Sequence, residues 1–147
     1  MMSRDTSTGK VFEQSVLPAL EHAKYKYRKQ VNIGNKPNQR KHIIDLIVYD
    51  ANRKILVSKK WQQCGGTAEE KIPFEVIMLA NACQNFNYEK AYLVLGGTDE
   101  DKGLDTKGWT LRQWYLRGGL KDWIKNHDRV EIIGSDAFIA KINRREL

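Results

Sequence analysis

The chain has 147 residues, 41% hydrophobic and 29% charged, a mixture that suits one globular domain and excludes disordered, collagen-like or membrane-embedded classes. Its 25 Lys+Arg against 18 Asp+Glu leave a net charge of +7, which favours a polyanionic partner, nucleic acid first, over an ordinary solvated basic surface. No apolar run approaches the roughly 18 residues a bilayer demands, and "MMSRDTSTGK" lacks a signal-peptide core; a cytoplasmic protein with no membrane partner is expected, nucleoid-associated if bacterial or phage.

From Thr8 the spacing of Val11, Phe12, Val16, Leu17 and Leu20 predicts a helix with one apolar face, bent or shortened at Pro18. "YKYRKQVNIG" follows as a strand with a basic outer face, and "NKPNQR" as a loop. "KHIIDLIVYD" is rich in β-branched residues, and through the turn "DANRK" it forms a hairpin with "KILVSKKW". After Gly65-Gly66, Thr67 with Glu70 three positions on is a capping-box pattern. It opens a helix whose predicted buried face is Val76, Ile77, Leu79, Ala80 and Cys83, with Pro73 in its first turns. "KAYLVLGG" is a buried central strand and "TDEDKGLDTKG" a long polar loop. "WTLRQWYLRGG" and "LKDWIKNH" are two helical pieces divided by Gly118-Gly119, before a last strand, "RVEIIG", and helix, "SDAFIAKI". The order α-β-β-β-α-β-α-β-α predicts an α/β fold, a mixed central sheet flanked by helices, forming one domain over residues 1–147.

The cysteines, Cys64 and Cys83, have no zinc-ligand spacing and are expected to be reduced and structural. His22, His42 and His127 show neither ligand spacing nor a nucleophile partner. The four tryptophans, Trp61, Trp109, Trp114 and Trp123, are expected to anchor the core or its edge. Neither "GGTAEE" nor "LGGTDE" matches a phosphate-cradling glycine motif, which ranks a small-molecule α/β enzyme low.

Strand alternation sends Ser58, Lys60 and Gln62 one way and Val57, Lys59 and Trp61 the other. In the preceding strand Asp45 is the only acid inside "IIDLIV". Burying it unpaired would cost several kcal/mol, so it needs a cation, which Lys60 or a divalent metal could supply. A structural Asp45–Lys60 ion pair that merely fixes the hairpin is the plainer reading of the same residues.

An acid in the first helix, an Asp central to a strand, a turn, a strand ending in an acid-x-Lys pattern with Gln two residues on, and then a helix form a recognisable series. Here it reads Glu13 in "VFEQ", Asp45 in "IIDLI", then "SKKWQ" and "GGTAEEKIPFE". Over about residues 8–95 this resembles the PD-(D/E)XK nuclease superfamily, the restriction-endonuclease-like fold. The resemblance implies Asp45 as the principal Mg2+ ligand, with Mn2+ a possible substitute, and Lys60 as the residue that positions and activates the attacking water. It implies that Glu13 holds a second metal or its water, and that Gln62 supports the site or touches the phosphate. Ile44 stands where the superfamily's name has Pro, a mild departure. Ser58 stands where it has Glu or Asp, and a neutral hydroxyl is a weak magnesium ligand. Three explanations compete. A carboxylate from the next helix, Glu70 or Glu75, reaches the metal, although Glu70 also fits the capping box; the protein binds DNA without cutting; or position 58 carries an inactivating substitution. The last two are favoured for this chain as it stands.

Lys24, Lys26, Arg28 and Lys29, then Lys36, Arg40 and Lys41, flank the approach to Asp45, with Lys59, Arg53 and Arg112 extending the set. Their expected contacts are with phosphates. Base contacts are expected from residues 34–40, 98–108 or the Arg112-Gln113 region. The expected function is a magnesium-dependent endonuclease of double-stranded DNA, sequence-specific in the restriction or homing manner, acting as a homodimer or higher homo-oligomer so that two centres cut two strands. A non-catalytic DNA-binding protein and a junction-resolving or repair nuclease are the alternatives.

Overall fold

A computed structural model describes residues 4–60, 70–96 and 111–147, with side chains from Glu13 onward within them. The first helix, α1 (Arg4–His22), continues through Pro18 to His22 and is not shortened there as expected. Pro18 is solvent-exposed, and the carbonyl it leaves without an N–H partner belongs to exposed Gln14, where water can take its place. Val16 and Leu20 hold the helix down on the sheet.

Three antiparallel strands follow, β1 (Lys26–Asn35), β2 (Lys41–Asp50) and β3 (Arg53–Lys60). The β2–β3 hairpin expected from "DANRK" forms, closing at Asp50↔Arg53 around Ala51, which takes φ +54°. Helix α2 (Ile72–Phe86), with Pro73 in its first turn as expected, crosses to β4 (Lys90–Leu95), which runs parallel to β3. After α3 (Leu111–Leu116) and a single 3-10 turn at His127–Arg129, β5 (Val130–Gly134) pairs parallel to β4, and α4 (Ser135–Asn143) completes the described chain. The sheet order is β1-β2-β3-β4-β5. This is the mixed α/β sheet predicted from the pattern.

One face of the sheet carries α1 and α4, where Val16, Leu20, Phe138 and Ile142 pack on Leu46, Val48, Ile55, Val57 and Tyr92. The other carries α2, α3 and the segment after it, where Ile72, Val76, Leu79, Cys83, Tyr115 and Leu120 pack on Ile47, Leu56 and Leu93. Cys83 is buried as a free thiol, and desolvation pushes its pKa up to about 11, which leaves it inert.

Three sequence expectations fail. Ile77 is 44% exposed. The buried arc of α2 runs through Ile72, Val76, Leu79 and Cys83, and Ile77 is turned about 100° away from Val76 at 3.6 residues per turn. Residues 117–126 form turns, not a second helical piece: Gly118 takes φ +83° and Asn126 takes φ +61°, which interrupt the segment at both ends, while Leu120 and Ile124 still pack on the α2-side core. Trp123, at 77% exposed, is accordingly no core anchor, whereas Trp114 packs at the core's edge as expected. Gln62, Cys64, Gly65, Gly66, Thr67, Trp61, Trp109 and residues 98–108 lie outside the described residues, as do the side chains of Val11 and Phe12. No helix among the described residues is long and apolar enough to cross a membrane.

A local irregularity in β1 and β2 sets the position of Asp45. Residues two apart on a strand share a face, yet Leu46 belongs to the α1 side and Ile44 to the α2 side. On β1 the same change separates Tyr27 from Val31. Both strands switch faces at one level, between the pairs Lys29↔Leu46 and Val31↔Ile44, where Gln30 with φ +52° stands across from Asp45.

Candidate active site

Asp45 occupies that switch, half-buried, at the point where β2 and β3 part. The last ladder pair between them is Leu46↔Val57. Beyond it Asp45 Oδ2 accepts the backbone N–H of Lys59 at 2.9 Å, so a carboxylate spans the fork where backbone pairing has stopped.

On β3, Ser58 and Lys60 point to the α2 side. Ser58 is 5% exposed, and its hydroxyl donates to Glu75 Oε2 at 3.0 Å. Lys60 Nζ lies 3.6 Å from Glu75 Oε1. Glu75 belongs to the first turn of α2, where unpaired backbone N–H groups and the helix dipole favour a negative charge, and its side chain is only 15% exposed. Each oxygen of Glu75 therefore has a different β3 partner. Consecutive residues Ser58 and Lys59 tether the two carboxylates, one through a hydroxyl and one through the main chain. Lys60 is itself fixed by the parallel pair Lys60↔Leu95 and by Gly96 N–H donating to its carbonyl at 2.9 Å.

The remaining expected site residues are placed differently. Glu13 pairs with Lys29 at 3.9 Å, both half-exposed, and has no described contact with Asp45, Ser58 or Lys60. Glu70 is exposed ahead of α2 and touches neither Ser58 nor Lys60, so the acid that reaches β3 from this helix is Glu75. The Asp45–Lys60 ion pair considered from sequence does not form; the partner of Lys60 is Glu75. Of the expected DNA contacts, Lys24, Arg28, Arg40 and Lys41 are exposed, while Lys36, Lys59 and Arg112 are half-buried. His42, passed over in the sequence, is buried, with Nε2 lacking a hydrogen-bond partner among the described residues. Burial lowers its pKa, Glu75 opposes that shift and Lys36 adds to it. Nothing in the sequence pattern marks this histidine.

Two carboxylates and a serine hydroxyl supply hard oxygen donors, with the Lys60 ammonium beside them. Among the described residues no three His, Cys, Asp or Glu converge to hold a metal. Magnesium commonly takes one or two carboxylates and completes its shell with water and substrate phosphate.

The sequence profile of the PD-(D/E)XK nuclease superfamily domain matches residues 4–145, and the chain belongs to that superfamily. Its mixed five-stranded sheet between helices is consistent with the restriction-endonuclease-like fold. Among solved structures it is similar to AF1548, a protein of unknown function, at 10% identity and a TM-score of 0.45, over 84% of this chain and 57% of that one. It is also similar to Pyrococcus furiosus SfsA in complex with Ca2+, at 19% identity and a TM-score of 0.40, over 85% of this chain and 53% of that one. The chain thus spans a little over half the length of either. No curated protein sequence matches it.

Proposed function

We propose that this superfamily member is a metal-dependent endonuclease of double-stranded DNA in which Asp45 and Glu75 hold magnesium or manganese and Lys60 activates water. The observation that carries this reading is the pair of contacts on Glu75. The carboxylate missing at position 58 is matched by one delivered from α2, and the serine hydroxyl in its place holds that carboxylate toward Lys60. Serine at 58 then belongs to a working site, which favours the displaced acid over the two explanations preferred from sequence.

Bound there, the metal would supply charge neutralisation at the scissile phosphate and a more acidic water. Ser58 orients Glu75 so that one oxygen is engaged by the hydroxyl and the other faces Lys60. Lys60, 43% exposed, keeps its ammonium at the open edge of the site, where it can position a water and meet phosphate charge. Asp45 is oriented by the Lys59 N–H. The cations around β1 contact the DNA backbone, and a homodimer places a second centre on the other strand.

The test is cleavage of supercoiled plasmid with magnesium or manganese. The unaltered chain is expected to nick and linearise it; Glu75→Gln should lose on the order of 10²- to 10³-fold in rate, and Glu70→Gln should stay within a few-fold. Loss with Glu70→Gln and not with Glu75→Gln would overturn the assignment. Retained DNA binding with no cleavage by any form would make the protein a binding module instead.

A further inference from the structure

Beyond Asp45 the β1–β2 hairpin has no third strand among the described residues. The β2–β3 ladder ends at Leu46↔Val57, and Val31–Asn35 pair only with the residues from Lys41 to Ile44. This two-stranded ribbon is anchored on one side. Val31, Ile33 and Ile44 join the α2 cluster, and at Gly34, φ +122°, a Cβ would come within 2.8 Å of the Phe86 ring, so the backbone lies directly against the helix. The tip is held by its own bonds: Lys36 N–H to Arg40 O at 2.8 Å, Gln39 N–H to Lys36 O at 2.8 Å, and Arg40 N–H to Asn38 Oδ1 at 3.3 Å. These bonds use the Asn38 side chain and leave those of Gln39 and Arg40 exposed.

Two features of this ribbon are not required by the fold. Between Glu21 and Asp45 the chain carries seven Lys or Arg and no carboxylate, with Lys36, Arg40 and Lys41 within the ribbon itself. On the outward face, across from Asn32, Ile43 is 48% exposed on an otherwise polar surface. A rigid, carboxylate-free element with one outward apolar side chain matches duplex DNA, whose major groove offers phosphates at its rims and donors, acceptors and thymine methyls on its floor.

We propose, resting on the nuclease reading, that this ribbon, residues 31–44, reads base sequence in the major groove, with Gln39 and Arg40 at the tip and Ile43 on the outward face as the base-contacting side chains. Dimensions decide the groove. Five residues on β1 and four on β2 at about 3.3 Å each extend roughly 13–16 Å, and a two-stranded ribbon enters a major groove about 12 Å wide but not a minor groove about 6 Å wide. Gln39 suits adenine N6/N7, Arg40 suits guanine O6/N7, and Ile43 suits a thymine methyl. Because the ribbon joins the sheet at the Gln30/Asp45 switch, the base-reading element and the candidate metal-binding aspartate share one stretch of chain. Lys26 and Arg28, on the other side of that switch, contact phosphates without reading sequence.

The test is selection from a randomised duplex library with the full chain carrying Lys60→Ala, so that bound DNA stays uncut. That chain is expected to enrich a defined motif. Adding Arg40→Lys, which keeps the charge but loses the fork, should abolish discrimination at one base pair. A bidentate contact is worth about 5- to 150-fold there, and affinity for the other positions should be kept. Gln39→Gly, which accepts φ +70° without strain, should do the same at another position. Lys26→Ala should weaken every sequence alike. No motif, or a motif unchanged by Arg40→Lys, Gln39→Gly and Ile43→Ala, would overturn the proposal. A ribbon-dependent motif on DNA that the unaltered chain never cleaves would uphold the ribbon and sink the nuclease. Cleavage at a motif indifferent to the ribbon would do the reverse.

Discussion

The two faces of the sheet are built to different standards. On the α1 and α4 side the layer is close to purely apolar: Leu20, Val48, Ile55, Val57, Phe138 and Ile142 are buried completely or nearly so, and the main polar intrusion is the Tyr92 hydroxyl, whose ring stacks 5.2 Å from Phe138. On the α2 side the layer includes His42, Ser58 and His127 among buried residues, brings Glu75 against β3, and opens a cavity of about 610 Å³ beside Arg117, Lys121 and His127. Buried polar groups cost stability unless partnered. Both faces bury apolar layers, and the α2 side in addition holds the polar groups of the candidate site in place.

The first way to break this contrast is to move the acid. Ser58→Glu alone sets a second carboxylate against Glu75, and like charges at that separation oppose each other inside a half-buried site. Plasmid cleavage should fall on the order of 10-fold or more, by the magnitude of a disturbed electrostatic contact. Combining it with Glu75→Ser returns one acid and one hydroxyl to the pair and should recover much of the loss. A double variant no better than either single one would show that the two positions are not interchangeable.

Phe138→Ala removes the largest side chain shared by α4 and the sheet and should cost about 3–5 kcal/mol in a urea titration. Glu75→Gln, on the opposite face, should shift the same midpoint by no more than about 1 kcal/mol while abolishing cleavage. If Glu75→Gln instead unfolds the protein as Phe138→Ala does, the contrast between the faces is wrong.

Most of this architecture was legible in the sequence. Element order followed from strand runs such as "KHIIDLIVYD" and from turn residues, because β-branched runs and glycine act locally. Alternation put Ser58 and Lys60 on one face of β3, and the grouping of Asp45 with Lys60 as a site came from the resemblance to the superfamily. The choice between Glu70 and Glu75 was not legible, since it depends on how α2 is rotated over β3. The face switch was not legible either: Gln30 is an ordinary strand residue in sequence, and nothing local marks it for a positive φ. Residues 117–126 misled because "LKDWIKNH" has a helical composition and an apolar pair, Leu120 and Ile124, but lies between left-handed Gly118 and Asn126, and propensity alone does not sustain so short a helix.

That same segment offers a smaller test of the α2-side layer. Gly119 presses against the Trp114 indole, so Gly119→Ala would drive a methyl into the ring. Overpacking of this kind should cost about 1–3 kcal/mol, less than Phe138→Ala because the turns around it can yield. A neutral result would mean that Trp114 swings away freely and does not seal the core's edge.

The smallest expected effect is a pH dependence at His127. The ring is buried, neither nitrogen has a hydrogen-bond partner among the described residues, and desolvation lowers its pKa, with Lys121 adding to the shift and its own backbone and Asp128 opposing it. The unfolded chain takes up a proton near pH 6.5, and the folded chain only at lower pH. Between those values the unfolded state binds more protons, so the contribution of His127 is fully present above about pH 6.5 and is lost as pH falls toward the folded pKa. His42 acts in the same direction, so the unaltered chain alone cannot isolate the effect. Comparing urea midpoints at pH 7.5 and 5.5 for the unaltered chain and for His127→Phe does so. The variant should lose less stability across that interval, because a phenyl ring has no charge to acquire and fills the same space. Equal losses would mean that His127 takes up its proton in place, drawing water or the carboxylates of Asp128 and Glu131 in the cavity wall to its ring.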